Sequence, residues 1–360
     1  MFYRLSEIID RFAMQIAMRR STSSQDMLRL RSRSPDHIIE QLLDHFRGHR
    51  PSSWHRVLFI DDDGVGVGVT REAFSLFWDA VVGTLFISQG GDLHLPSITP
   101  CRNSDIWKIL GRILAFTLVV LGQFPSHCMS ETLCRAILRL QPESDYENLV
   151  NDFLNSLGKQ QQNLFSPLFR NENIGDLQRY IERGGGNFST SLENDAWSTI
   201  INIARHTLLE IPSAAINAMQ EGFFSISGST FNGVTAELVS SWYREQSHPL
   251  FEEIRSRLRL ESTEEGSERV FNVLIAFPRR HRANENLLSC FLRYCTGSTS
   301  ARGDSITVSI SSSAMAISHE TCFLSMELPM MADDWEAEQA FTDQPSAELA
   351  NVHEWTFNSG

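Results

Sequence analysis

Lysine is nearly missing from this chain. Of 31 basic residues, only Lys108 and Lys159 are lysine and the rest are arginine. Codon bias in a GC-rich gene produces that ratio without any functional demand. Long hydrophobic runs are missing too. The longest, Ile113 to Leu121, has nine residues, and a membrane span needs about 20. The N-terminal residues carry no signal-peptide pattern: Leu5, Ile9, Phe12 and Ile16 keep the helical period, interrupted by Glu7, Asp10 and Arg11. The six cysteines (101, 128, 134, 290, 295, 322) contain no Cys-x-x-Cys pair and no disulfide-like framework. These absences point to a reducing compartment, cytoplasmic or nuclear, with no membrane partner. Net positive charge is also lacking. A formal charge of −13 excludes a general nucleic-acid binder, which needs a basic face to displace counterions.

What is present describes a globular protein of more than one unit. At 360 residues, 42% hydrophobic and 21% charged, the chain can bury a substantial core. Charge is uneven: residues 1–50 hold nine arginines against six acids, and the rest holds 22 basic against 38 acidic residues. Residues 1–50 read as two helices around a polar, basic link from Arg19 to Arg33. The second helix starts at Ser34 as N-cap with Pro35 at its first position. Val57 to Ile60 reads as a short buried strand, ending in the glycine-rich turn Asp61 to Gly68, after which Thr70 or a neighbour caps a helix. Helical patterns follow at Trp107–Leu121, Asp145–Leu157, Glu193–Leu209, Ala214–Phe224 and Thr235–Arg244. The acidic stretch Leu260 to Glu268 has no apolar periodicity and reads as a boundary. Beyond it come helical patterns at Val270–Phe277 and Leu287–Tyr294, then strand-like alternation at Ile306, Val308 and Ile310.

Most motif-like stretches carry no chemistry. Gly64-x-Gly66-x-Gly68-x-Thr70 lacks the Gly-Lys-Ser/Thr ending of a phosphate loop. No Gly-x-Ser-x-Gly elbow is present. His45 and His49 have metal-ligand spacing, but nothing completes a site, so they read as solvated histidines and no metal or other cofactor is expected. Cys322 stands apart. It follows the polar run Ser318-His319-Glu320-Thr321 at the start of a short alternating segment, which presents a thiol outward. Cysteine already has a few per cent thiolate at neutral pH and needs less activation than serine. The structural alternative is a buried core cysteine, since free cysteine is among the most buried residue types.

The surroundings of Cys322 resemble a family. Thr321-Cys322-Phe323 followed by Leu328-Pro329 is similar to the active-site segment of HECT-type ubiquitin ligases. Phe291 to Ser298 resembles that family's leucine-x-phenylalanine-x-threonine-glycine stretch, with 24 residues between Gly297 and Cys322. Val69 to Phe77 resembles its threonine-arginine-glutamate-phenylalanine helix, and Leu110-Gly111-Arg112 its leucine-glycine-arginine core helix. Ala218 to Phe223 matches a later segment. The matches run in order over roughly residues 55–330.

This resemblance implies an α+β, bilobal fold. A helical extension would occupy 1–50, a larger and mostly helical N-lobe 51–260, a hinge 261–268 and a smaller α/β C-lobe 269–360. It also implies a ubiquitin-protein ligase that accepts ubiquitin from a conjugating enzyme as a thioester on Cys322 and passes it to lysines of a protein substrate. Cys322 is the nucleophile, Thr321 and His319 are positioning and proton-transfer candidates, and Phe357 stands where the family places a transfer-assisting aromatic four residues from the end. Scarce lysine would then avoid unwanted acceptors. The stretch of about 140–215 is short for the subdomain that docks the conjugating enzyme, so the alternative is a catalytically degenerate HECT-like binding module.

Overall fold

The spacing of Leu5, Ile9, Phe12 and Ile16 becomes α1 (Leu5–Met18), with all four side chains buried. Such a stripe forms because residues three and four apart share one helix face. The computed structural model describes residues 5–18, 27–31, 34–48, 56–59, 67–88, 94–96, 104–122, 124–125, 128–140, 146–169, 196–247, 251–262, 264–280, 288, 291–292, 295, 305–314, 318–320 and 325–331. Over these residues the fold is α+β, mostly helical with one small four-stranded sheet.

The N-terminal region departs from the expected extension. Within the basic link lies strand β1 (Met27–Leu30), which pairs in parallel with β2 (Arg56–Phe59) through the connecting helix α2 (Pro35–Gly48). Helix α2 buries Ile38, Leu42 and Phe46. Phe12 meets Phe231 edge-on at 5.4 Å, and Phe46 meets Phe74 and Phe116 at 6.4 and 5.2 Å. The buried side chains of α1, β1 and α2 therefore belong to the same apolar core as Phe74 and Phe116. The pattern of Leu28 and Leu30 is too short to announce a strand among arginines; pairing with β2 decides it. His45 is half-buried against the Phe46 ring, not solvated.

Helix α3 (Val67–Val81) begins before Thr70. The Thr70 hydroxyl accepts a hydrogen bond from the Val57 amide at 3.1 Å, tying the helix to β2 in place of capping it. A small hairpin follows, β3 (Phe86–Ser88) and β4 (His94–Pro96). Helix α4 (Ser104–Val120) runs through the core. Its Thr117 accepts from the Trp78 indole at 2.7 Å and donates to Ile113 at 2.9 Å, so the polar handle of a fully buried tryptophan is satisfied. Helices α5 (Glu131–Ile137), α6 (Tyr146–Ser156), α7 (Lys159–Phe169) and α8 (Ala196–Arg205) come next. The last of these runs into a π-helical turn, His206–Glu210. Leu149, Phe153, Phe165, Ile200 and Ile203 give α6–α8 a small apolar cluster of their own, joined by Leu95 of β4.

Helices α9 (Ser213–Ser227) and α10 (Ala236–Ser247) complete the larger core. Helix α4 crosses α9 at two glycines. A Cβ on Gly111 would lie 2.0 Å from the Met219 carbonyl oxygen, and one on Gly222 would lie 1.8 Å from that of Lys108. Lys108 pairs with Glu221 beside the crossing, and the Arg112 guanidinium donates to the Phe46 carbonyl at 2.9 Å. Close backbone approach of this kind is what glycine permits.

The C-terminal residues form a second apolar cluster from Ile254 to Met331. Helix α11 (Phe251–Arg257) leads into β5 (Leu258–Leu260), then α12 (Ser267–Arg280), β6 (Ile306–Ser311), β7 (Ser318–Glu320) and β8 (Ser325–Pro329). The sheet order is β5-β6-β8-β7, parallel except for the antiparallel β7–β8 pair. The alternation of Ile306, Val308 and Ile310 appears as three buried side chains on one face of β6. The expected hinge at 261–268 is stapled to this sheet at its described residues. The Glu261 amide donates to Val308 at 2.8 Å, Ser262 donates to Ile310 at 2.7 Å, and the Ser312 amide donates to Glu264 at 3.0 Å. Short polar side chains find backbone partners within reach. The acidic stretch that reads as a link is thus bound into the C-terminal unit, and β5 ahead of it already belongs there.

Gly111→Ala and Gly222→Ala are each expected to lower unfolding stability by at least about 2 kcal/mol, because backbone must move to admit a methyl group. Urea titration checks this. A change within error in both variants would show that the crossing is loose.

Candidate active site

Strand β8 is an interior strand, with β6 on one side and β7 on the other. Met326 and Leu328 point into the apolar cluster at 2% and 0% exposure, and Glu327 between them is exposed. That alternation fixes the register, since a one-residue slip would bury Glu327. Val308 and Ile310 of β6 stand at the register positions of Met326 and Leu328. On the other side, His319 is the register partner of Met326 and Glu320 of Ser325.

The structure therefore places one of the four sequence-predicted site residues: His319, in the middle of β7. Thr321 and Cys322, between Glu320 and Ser325 in the chain, lie outside the described residues, as does Phe357. The two strands flanking Thr321 and Cys322 in the sequence are hydrogen-bonded to each other. Of the Phe291–Ser298 stretch, Phe291, Leu292 and Cys295 are helical and buried in the same cluster as β8.

Cys128, Cys134 and Cys295 are free and fully buried. Burial pushes the Cys128 thiol well up, with the Asp79 charge adding to it. Burial does the same to Cys134, reinforced by Asp152 and Glu131. Cys295 is raised far above the usual thiol range by burial alone. A nucleophilic cysteine needs a thiolate in a polar, accessible setting, so none of these three can act at neutral pH. Cys101 and Cys290 lie outside the described residues with Cys322.

Sequence reading missed a polar cluster around α5. All seven residues of this helix are buried. Its Ser130 cap accepts from the Leu133 amide at 3.1 Å. Glu131 and Arg135 form an ion pair at 2.5 Å, with side-chain exposures of 7% and 3%, and Arg135 also donates to Ser240 of α10. Asp152 of α6 accepts from the Thr132 amide at 2.9 Å. The Tyr243 hydroxyl donates to Met129 at 2.7 Å, and Gln220 of α9 donates to Ala136 at 2.8 Å. The signal was available: Ser130 followed by Glu131 and Arg135 gives an N-cap and a charge pair at four-residue spacing. Among the described residues, no group of three or more His, Cys, Asp or Glu is placed to hold a metal ion, and no helix is long and apolar enough to cross a membrane.

With a thiol-alkylating reagent at neutral pH, Cys128, Cys134 and Cys295 are expected to stay unmodified in the native protein and react once it is denatured. Peptide mass spectrometry reads this, and rapid native labelling of Cys295 would contradict its burial. Set against known proteins, the chain matches no protein-family model and no curated sequence.

Proposed function

We propose that this chain is a HECT-type ubiquitin-protein ligase with Cys322 as its thioester-forming nucleophile. One observation carries the reading most. Two stretches that resemble the family, Leu110–Ala115 and Ala218–Phe223, are more than a hundred residues apart in sequence, yet they supply the two glycines of one helix crossing. A third, Leu328-Pro329, ends the strand that follows Cys322 and packs with a fourth, around Phe291 and Leu292. Chance matches of short motifs have no reason to meet in space.

In this reading the apolar clusters of residues 5–242 and 254–331 are the cores of the two lobes, with α6–α8 as the part of the N-lobe that docks the conjugating enzyme. That unit carries Tyr146 and Trp197, 45% and 40% exposed, and aromatic residues are enriched at protein interfaces. The Cys322 thiolate attacks the carbonyl carbon of the ubiquitin thioester on the conjugating enzyme. Its sulfur–carbon bond forms as the enzyme's own sulfur–carbon bond breaks, and the departing thiolate takes up the proton that Cys322 has given to solvent. Exchange between thioesters is nearly energy-neutral, so modest activation suffices. A substrate lysine then attacks as the free amine, an amide forms, and the Cys322 thiolate leaves. His319, two strand residues before Thr321, is the proton-transfer candidate, Thr321 positions the thiol, and Phe357 assists transfer to substrate. No metal or other cofactor takes part.

The test is a non-reducing gel of the protein incubated with ubiquitin, activating enzyme, a panel of conjugating enzymes and ATP. A thiol-sensitive ubiquitin adduct is expected, and it disappears in Cys322→Ala. No adduct with any conjugating enzyme overturns the ligase and leaves a degenerate binding module. In the same assay Phe357→Ala is expected to keep the thioester and slow substrate ubiquitination about tenfold or more, a loss of roughly 1.4 kcal/mol in transition-state stabilisation; unchanged transfer would remove Phe357 from the mechanism.

A further inference from the structure

The junction of α5 with α6 joins two apolar clusters through a carboxylate. Leu133, Cys134 and Ile137 of α5 belong to the main core, and Leu149, Val150 and Phe153 of α6 belong to the smaller one. Between them Asp152, 8% exposed, receives the Thr132 amide. Glu131, 5% exposed, begins the same helix turn. Two buried carboxylates thus lie on this junction, and the Arg135 guanidinium pairs with Glu131 and donates to Ser240. Burying like charges together favours the protonated form of one of them.

The surroundings identify which one. Burial raises the Asp152 carboxyl above its ordinary range, and the Glu131 charge adds to this, against hydrogen bonds from Thr132 and Ser130. Ionisable groups on the neighbouring elements include Cys134 on α5, Glu147 on α6, Glu221 on α9, Tyr243 on α10, Arg205 in the last turn of α8, and His206 and Glu210 of the π-helical turn, paired with each other at 2.8 Å. On α10, Glu237 is held below its ordinary range by its own amide and Thr235, with a smaller pull from Arg135.

We propose that the α5–α6 junction is a proton-operated joint: protonated Asp152 locks the α6–α8 unit onto the main helical body, and ionised Asp152 loosens it. The direction follows from linkage. A carboxyl raised on folding contributes stability that is fully present below its unfolded value and is lost as pH rises through its folded value. The joint is therefore tighter in mild acid and looser towards neutral pH. The Thr132 amide keeps an acceptor in both states, so the unit changes its grip without losing its docking geometry.

Amide hydrogen exchange on the full chain, corrected for the intrinsic pH dependence of exchange, tests this. Protection of α6 and α8 is expected to fall as pH is raised from mild acid to neutral. Protection in α4 and α9 should change less. Asp152→Asn keeps an acceptor oxygen without the charge, so its α6 and α8 should stay protected at both pH values. Asp152→Ala removes the acceptor and should lose protection at both. Wild-type protection of α6 that is constant or rises with pH overturns the proposal, and so does an Asp152→Asn variant that keeps the wild-type pH dependence.

Discussion

The larger apolar core depends on how closely α4 and α9 approach. Two backbones in contact leave no room for side chains at the crossing, so glycine is required on both helices, at Gly111 and Gly222. That contact places Leu110, Ile113 and Leu114 of α4 against Met219 and Phe223 of α9. Helices α1, α2 and α3 pack against α4, and α5 packs against α9. The α1 stripe reaches it through Phe12 and Phe231, Phe231 in turn meets Phe223 at 5.2 Å, and α2 reaches it through Arg112 and the Phe46 carbonyl. A methyl group at either glycine would separate the axis on which these elements converge.

The second organising element, α5, works by polar bonding. A seven-residue helix is too short to be stable alone. Here it is buried on every side and held by Asp152 of α6, Gln220 of α9, and Ser240 and Tyr243 of α10. A buried ion pair such as Glu131–Arg135 adds little net stability, but removing one partner strands the other, which is costly. Such a cluster favours one arrangement of its neighbours over others. It also supplies the route by which a charge change at one carboxylate reaches two apolar cores.

Periodicity was legible where one face of an element is apolar for three turns or more. The stripes of α1, α2 and α6 and the alternation of β6 could be read directly from residues such as Phe12, Phe46, Phe153 and Val308. Short elements stabilised only by a distant partner were not legible. Strand β1 is four residues among arginines and exists through β2, and α5 exists through side chains more than 100 residues away, such as Ser240, 105 residues from Arg135. The acidic stretch at 261–268 misled for a related reason. Glutamate and serine look solvated in sequence, yet Ser262 and Glu264 spend their oxygens on the backbone of the adjoining sheet. Of the candidate site, the strand after Cys322 and the buried state of Phe291 and Leu292 follow from alternation and helical spacing. The role of Cys322 rests on resemblance, because a single cysteine carries no periodic signal.

The three buried cysteines sharpen the case for Cys322 by contrast. Cys128 sits in the turn before α5 and Cys134 lies within that helix. Cys295 is helical and shares an apolar cluster with Leu288, Phe291 and Leu292; all three cysteines serve as small apolar residues. Cys322 instead follows four polar residues and precedes a strand whose register is fixed by Met326, Glu327 and Leu328. A nucleophile gains most from a scaffold that is rigid while its own neighbours are polar, because orientation is then set without desolvating the thiolate. In the proposed reading, the strand that follows Cys322 in the chain is interior to the sheet, and the run Ser318-His319-Glu320-Thr321 before it is polar in sequence.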